Sequence, residues 1–419
     1  MKNISLKSNQ CIATCPACGL LCDDILVENN QNVIKVLANG CAKSIAFFEQ
    51  PLHDAAPQIA GEPASLAQAL AKAAQILKEA KQPLFTGLST DVAGFRAIYN
   101  LAQKSNASLQ HMNAASTARN IKVLQSTGWQ TTTLTEVKNR ADVIACIGSD
   151  IVLHNPRFFE RFVDVDGMFI SAKNRQLIVL GESKNNGVIK SDTLEAAWIL
   201  PCRADDLPSV TIALRALVAG KQLKVAEIAG IKVSDLQSVA DKLIAAKYAV
   251  LAWVAKDLDF PHAELTIQNI TETVAILNQS ASNHLGRAAG LPLGGSDGDT
   301  SANNANTWLS GLALNDIANE HDCVVWVNSF SADKLPPITD KPLIILGSSN
   351  PVGAACSREP EQSQLQAAPT LFIPIATPGL DYSGTLFRVD SSVILPLKKL
   401  RENNLPTLSE VVSGIEALL

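Results

Sequence analysis

Short apolar runs alternate with amphipathic stretches along most of this chain. Pro83–Gly87, Ala141–Gly148, Gln176–Gly181, Ala246–Ala255, Asp322–Val327, Pro342–Gly347 and Pro369–Ala376 each have the length of one buried strand. The stretches between them carry helical spacing. Ser65–Lys81 is Ala-rich and high in helix propensity. Ala93–Ser105, Leu207–Ala219, Val233–Ala246, His262–Leu277 and Ala305–Asn319 follow the same pattern. Apolar strands without polar alternation, separated by helices, predict parallel sheets covered on both faces. The N-terminus differs, because Asp23–Val27 and Val33–Val36 read as a hairpin turning at Asn29–Asn32. The expected fold class is therefore α/β, doubly wound, behind a small N-terminal cysteine-rich β module.

Composition narrows this picture. A chain of 419 residues exceeds what one core usually serves, so two or three domains are expected. A hydrophobic content of 47% with 18% charged residues describes a well-buried globular protein. The net charge of −5 offers no electrostatic footprint for nucleic acid. No apolar run reaches the roughly 18 residues of a membrane span, and Met1–Lys7 lacks the apolar core of a secretion signal. Cytoplasm is the expected location, with neither membrane nor nucleic acid as partner. There, nine cysteines are expected to be reduced or metal-bound.

Candidate chemistry concentrates in Cys15-Pro-Ala-Cys18-Gly-Leu-Leu-Cys22, joined by Cys41. Spacings of two, three and eighteen intervening residues let four thiols meet at one small centre. An iron–sulfur cluster is favoured over zinc, and a loop of thiols kept for packing is the third reading. The hairpin after Cys22 is expected to carry Cys41 back to the other three. Cys11 reads as a spare thiol, and Cys202, Cys323 and Cys356 as small buried hydrophobes. Several strands end in small polar residues, namely Gly148-Ser149-Asp150, Gly347–Asn350 and Ala376–Gly379, which either bound a ligand crevice or form ordinary turns. His154-Asn155-Pro156-Arg157 follows one such end. Leu291–Thr300 is rich in glycine, which permits close backbone approach. Neither a Walker A nor a dinucleotide fingerprint is present, and no HExxH or Ser-His-Asp order emerges.

Three segments together resemble the B-type subunits of formylmethanofuran dehydrogenase, relatives of the molybdopterin and tungstopterin oxidoreductases. They are the cysteine loop running into Asp23-Asp24-Ile25, then Thr133-Leu-Thr-Glu-Val-Lys-Asn-Arg-Ala-Asp142, and Phe372–Gly379 with Leu386-Phe387-Arg388. The Leu291–Gly295 segment is most similar to the bacterial branch, whose members are part of a formyltransferase/hydrolase complex of methylotrophs. The resemblance implies a four-iron cluster on Cys15, Cys18, Cys22 and Cys41. It also implies a pterin-bound tungsten or molybdenum held by a Cys–His pair within Met112–Arg119. This chain has Asn113-Ala-Ala-Ser-Thr-Ala118 there, with His111 nearby, and a neutral hydroxyl replaces a thiolate poorly on a soft metal. No tungsto- or molybdopterin is therefore expected. Arg287 falls in a region where the family places an active-site arginine.

The implied role is a non-catalytic, structural subunit of a complex that converts formyl-tetrahydromethanopterin to formate through a methanofuran-like carrier. The other subunits of that complex are the expected partners. The alternative is an active dehydrogenase subunit with both cofactors. By analogy with the family, two doubly wound α/β domains are expected behind a cysteine module at 1–50, namely a discontinuous Rossmann-like domain at 51–110 and 247–419, and an inserted α/β domain at 111–246.

Overall fold

The structure, a computed structural model, describes residues 6–280, 286–314, 320–331, 333–348 and 369–419. Contacts divide the chain into two compact units, Met1–Ala114 with Gly295–Leu419, and Ala115–Gly294.

The first unit opens with β1 (Gln10–Ala13), β2 (Ile25–Asn30) and β3 (Val33–Ala38), an antiparallel sheet in that order. Gln31 and Asn32 turn the β2–β3 hairpin at φ +53° and +67°, the left-handed pair that matches strand twist. Helix α1 (Ala42–Phe48) follows, with Cys41 as its N-cap. A short hairpin, β4 (Gln58–Ile59) and β5 (Glu62–Pro63), leads into α2 (Leu66–Glu79). Ser65 and Gln68 close the start of α2 with a reciprocal capping box. Then come β6 (Pro83–Ser89), α3 (Val92–Lys104) and β7 (Ser108–His111). The Asp91 carboxylate caps α3 by accepting from the Gly94 N–H.

Helix α4 (Ala114–Ser126) leads into the second unit, built from α5 (Leu134–Arg140), β8 (Val143–Ser149), β9 (Gln176–Glu182), α6 (Asp192–Glu195), β10 (Trp198–Leu200) and α7 (Leu207–Val218). A hairpin of β11 (Glu227–Ile228) and β12 (Ile231–Lys232) precedes α8 (Val233–Ala245), β13 (Tyr248–Val254), α9 (Glu264–Ser280) and β14 (Arg287–Leu293). Five strands form one parallel sheet, ordered β10-β9-β8-β13-β14. Ile178, Leu251 and Trp253 from its strands pack with Leu207, Val239 and Ile267 from its helices in one buried core.

The chain returns to the first unit with α10 (Asp299–Ser310), β15 (Cys323–Asn328), β16 (Leu343–Gly347), β17 (Leu371–Pro374), the hairpin β18 (Gly384–Phe387) and β19 (Ile394–Leu397), and α11 (Leu408–Glu416). The sheet here is ordered β5-β4-β17-β16-β15-β6-β7, parallel from β17 to β7 and antiparallel at β4 and β5. Strands β6, β15 and β17 are buried along their whole length, as doubly covered parallel strands require.

Three expectations are corrected. The domain return near residue 247 moves to Gly295, because β13 pairs with β8 and so stays with the second unit. The outgoing boundary shifts from 111 to 115. The helix expected over Ala305–Asn319 instead begins at Asp299 and ends at Gly311, whose φ of +75° is a left-handed stop; residues 315–319 lie outside those described.

Candidate metal centre and the strand ends

The cysteine loop is held by its own backbone. The Cys15 N–H donates to the Cys22 carbonyl at 2.9 Å, and the Leu21 N–H to Cys18 at 3.2 Å, with Leu21 left-handed at φ +45°. Cys15, Cys18 and Cys22 are buried, while Cys41 is partly exposed. Burial pushes the Cys15 thiol well above its ordinary value, and the neighbouring Cys18, Cys22 and Cys41 push it further. Burial likewise raises Cys18 to about 12, with Cys22 adding to the rise and the Leu20 amide and Lys43 opposing it. The four thiols lie near enough for Cys18, Cys22 and Cys41 to act electrostatically on Cys15.

Cys15 and Cys18 hold their protons unless a cation compensates the thiolates, which a metal centre does. Among the described residues, no three His, Cys, Asp or Glu side chains are placed to share a single ion. A four-iron cluster takes its thiolates at separate iron corners and does not require that they share one ion. Cys15, Cys18, Cys22 and Cys41 are the residues that would hold it.

The glycine-rich segment lies against this loop. Gly19 donates its N–H to Gly295 O at 2.8 Å and accepts from the Val389 N–H at 2.9 Å. Gly295 sits at φ +69°, and a Cβ there would stand 3.1 Å from Gly19 Cα. The close approach anticipated for these glycines is therefore made to the protein's own cysteine loop.

The Met112–Arg119 stretch contains no thiol. Its Asn113 amide donates to the Ser296 carbonyl at 3.3 Å, Ser296 Oγ at 3.1 Å and Asp299 Oδ2 at 3.2 Å. His111 Nδ1 accepts the Asn113 N–H at 3.0 Å, which leaves the proton on Nε2 to reach Asp297 O at 3.1 Å. His111 is a neutral internal tie.

In the second unit, the carboxyl ends of β8, β9 and β13 gather Ser149, Lys184 and Asp257. The Asp257 carboxylate accepts from His154 Nε2 at 2.9 Å, Lys184 Nζ at 2.9 Å and Ser149 Oγ at 2.6 Å. Burial pushes this carboxyl up, but the bonds from His154, Ser149 and Lys184 more than reverse that and hold it well below the usual carboxylate range. Asp150 is buried and accepts from Ser183 Oγ and from the Lys184 and Asn185 N–H groups. Asn155 exchanges two bonds with the Gly294 backbone, and Arg157 forms a paired bond with Glu160. His154, Asn155 and Arg157 therefore each have a partner within their own unit. Arg287 opens β14 opposite Tyr248, at the amino end of the sheet, and is exposed. It does not join the Asp257 group.

Of the expected polar strand ends, Ala376–Gly379 is an ordinary turn in which Thr377 donates its N–H to Asp381. Ser349, Asn350 and Cys356 lie outside the described residues. The Glu136–Asp142 string is architectural. Thr133 caps α5, Arg140 pairs with Glu136 and covers the Phe169 ring, and the Asp142 carboxylate accepts the Lys247 and Tyr248 N–H groups that start β13. Cys146, Cys202 and Cys323 are buried thiols whose pKa burial raises, Cys202 to about 11 and Cys323 to about 12. Asp257 and Lys184 escaped the sequence reading. Their one signal was a carboxylate just past an apolar strand, in Val254-Ala-Lys-Asp257.

No family model matches the chain. The chain is 25% identical over 427 residues to the B subunit of the tungsten-containing formylmethanofuran dehydrogenase 2 of Methanococcus maripaludis, covering 92% of each. It is 25% identical over 375 residues to the B subunit of the formyltransferase/hydrolase complex of Methylorubrum extorquens, covering 85% of this chain and 95% of that one. Among solved structures, the formyltransferase/hydrolase complex from Methylorubrum extorquens in complex with methylofuran matches with a TM-score of 0.69 and 23% identity, over 87% of this chain and 98% of the matched chain. Acetylene hydratase from Pelobacter acetylenicus matches with a TM-score of 0.58 and 11% identity, over 97% of this chain and 69% of that one. These structures establish the fold, which is the molybdopterin-oxidoreductase-like α/β arrangement. By sequence, the chain is similar, over most of its length, to the B subunits of formylmethanofuran dehydrogenase and of the formyltransferase/hydrolase complex.

Proposed function

We propose that this chain is the B-type subunit of a formyltransferase/hydrolase complex, in which it organises the other subunits and carries out no redox step. Its partners are those subunits, with a methanofuran-like carrier passing nearby, in the cytoplasm. Among the described residues, no helix is long and apolar enough to cross a membrane.

The observation that carries this reading is the amide at Asn113. In the stretch where the resemblance puts a metal-ligating thiolate, the chain offers amide, methyl and hydroxyl groups, and the Asn113 amide is engaged with Ser296 and Asp299. A neutral amide or hydroxyl is a poor substitute for a thiolate on a soft metal. The cysteine loop is a separate matter, and we assign it a four-iron cluster of structural use.

Metal analysis of the complex purified through this chain tests the reading. Iron and sulfide without stoichiometric tungsten or molybdenum, together with copurifying transferase and hydrolase subunits, is the expected result. Stoichiometric tungsten or molybdenum would overturn it. The second reading, an active dehydrogenase subunit, draws on a likeness to the tungsten-containing relative that spans 92% of the chain. It requires formylmethanofuran oxidation with a dye acceptor.

A further inference from the structure

The loop from Gly295 to Asp299 makes more outside bonds than a simple turn needs. Gly295 O receives the Gly19 N–H. Ser296 and Asp299 receive the Asn113 amide, and Ser296 N–H also donates to Asp299 Oδ2 at 3.2 Å. Asp297 receives His111 Nε2 on its carbonyl and Ser331 Oγ on its carboxylate. Asp297 is itself left-handed at φ +55°, between Gly295 at +69° and Gly298 at +73°. A non-glycine residue in that conformation is strained, and surrounding bonds must hold it.

What the loop holds in turn is one peptide of the cysteine motif. Gly19 lies between Cys18 and Leu20, and both of its backbone polar groups are bonded, the N–H to Gly295 and the carbonyl to Val389. The approach leaves no room for a side chain, since a Cβ on Gly295 would meet Gly19 Cα at 3.1 Å and Val389 Cγ2 at 3.2 Å. Cys15 is secured separately, through its N–H to Cys22.

We infer that Asn113, Gly295 and Val389 form a brace whose task is to place the Cys18 thiol: Asn113 holds the Gly295–Asp299 loop, and Gly295 and Val389 clamp the Gly19 peptide. The segment expected to ligate a metal thus serves the cysteine loop instead. Asn113 and Gly295 are positioning residues, acting on the cluster through Gly19. This rests on the cluster reading above for its purpose, while the placement of Cys18 can be tested without it.

The test uses the full-length chain purified anaerobically, as wild type, Asn113→Ala and Gly295→Val. Iron and acid-labile sulfide are measured first. The rates at which iodoacetamide labels Cys18 and Cys11 are then followed by mass spectrometry after the metal is stripped with a chelator. Circular dichroism reports the fold. Both variants are expected to lose iron and to label Cys18 several-fold faster, with Cys11 labelling and the dichroism spectrum unchanged. Cys18 labelling at the wild-type rate in Asn113→Ala would overturn the brace. Equal acceleration of Cys11 would also overturn it, because that marks general loosening. A wild type without iron would overturn the cluster reading alone, and the Cys18 rate would still decide the brace.

Discussion

Arg401 lies against Asp381, Nε to Oδ1 at 2.7 Å, with 1% and 2% of the two side chains exposed. A second bond runs from Arg401 Nη1 to the Gln50 carbonyl, and Asp381 also accepts the Thr377 N–H. The pair therefore joins the segment after α1, the turn after β17 and the segment before α11. Arg401→Ala strands a buried carboxylate and is expected to lower unfolding stability by about 3–5 kcal/mol. The Arg401→Met, Asp381→Leu double variant removes both charges and is expected to recover most of the loss. Urea unfolding of the three proteins checks this, and a double variant no better than Arg401→Ala would refute it.

Asp257 sets an acid limit on the second unit. Its folded pKa is depressed below the unfolded value of roughly 3.9. The stabilisation it provides is thus complete above that value and is lost as pH falls through the folded pKa. Asp257→Asn is expected to lower the unfolding midpoint by a constant amount between roughly pH 5 and 8 and to converge on wild type below about pH 4. Thermal melts across that range make the comparison. A gap that widens on acidification would contradict the assignment.

Arg175 closes the end of α5, donating to the carbonyls of Val137, Lys138 and Ala141 and to that of Val165. Lys138 and Ala141 are at the C-terminal end of α5, where carbonyls lack intrahelical partners, while Val137 O also takes the Ala141 N–H and Val165 lies outside the helix. Arg175→Ala is expected to cost about 2–4 kcal/mol, since several buried acceptors lose their donor together. Lysine carries a point charge in place of a planar fork, so Arg175→Lys should restore only part of it. Denaturant midpoints decide the order of the three proteins.

Serine replacements separate the cysteines by role. At Cys15, Cys18, Cys22 or Cys41, each is expected to abolish most of the iron bound per chain. Cys146→Ser and Cys323→Ser, in the strand cores, should leave iron intact and instead lower stability by about 1–3 kcal/mol through burial of a hydroxyl. Iron content and melting temperature together distinguish the groups. Full iron in the Cys15 and Cys18 variants would remove the loop from consideration as a cluster site.

The strand–helix alternation was legible because parallel strands buried on both faces cannot carry polar positions. Runs such as Val143–Ile147 and Val324–Val327 therefore stand out unaided. Strand β14 did not stand out. Gly290 and Pro292 weaken its signal, yet the strand lies at the edge of its sheet, where proline is tolerated. The pairing of β13 with β8 and β14 keeps both strands in the second unit, some fifty residues beyond the return expected by analogy. Helix α10 was read late for a related reason, since its first turn, Asp299-Thr-Ser, is polar.

Local chain chemistry sufficed for the α/β class and for the hairpin turn within Asn29–Asn32. Each of these follows from short-range spacing and backbone preference. The partners of His154, Asn113 and Gly295 were beyond its reach. Asp257 lies 103 positions from His154, and Ser296 lies 183 from Asn113. Bonds over such separations depend on how sheets and loops pack, and no local preference encodes them. Packing alone paired His154 with Asp257, laid Gly295 against Gly19 of the cysteine loop, and tied Asn113 to Ser296 and Asp299.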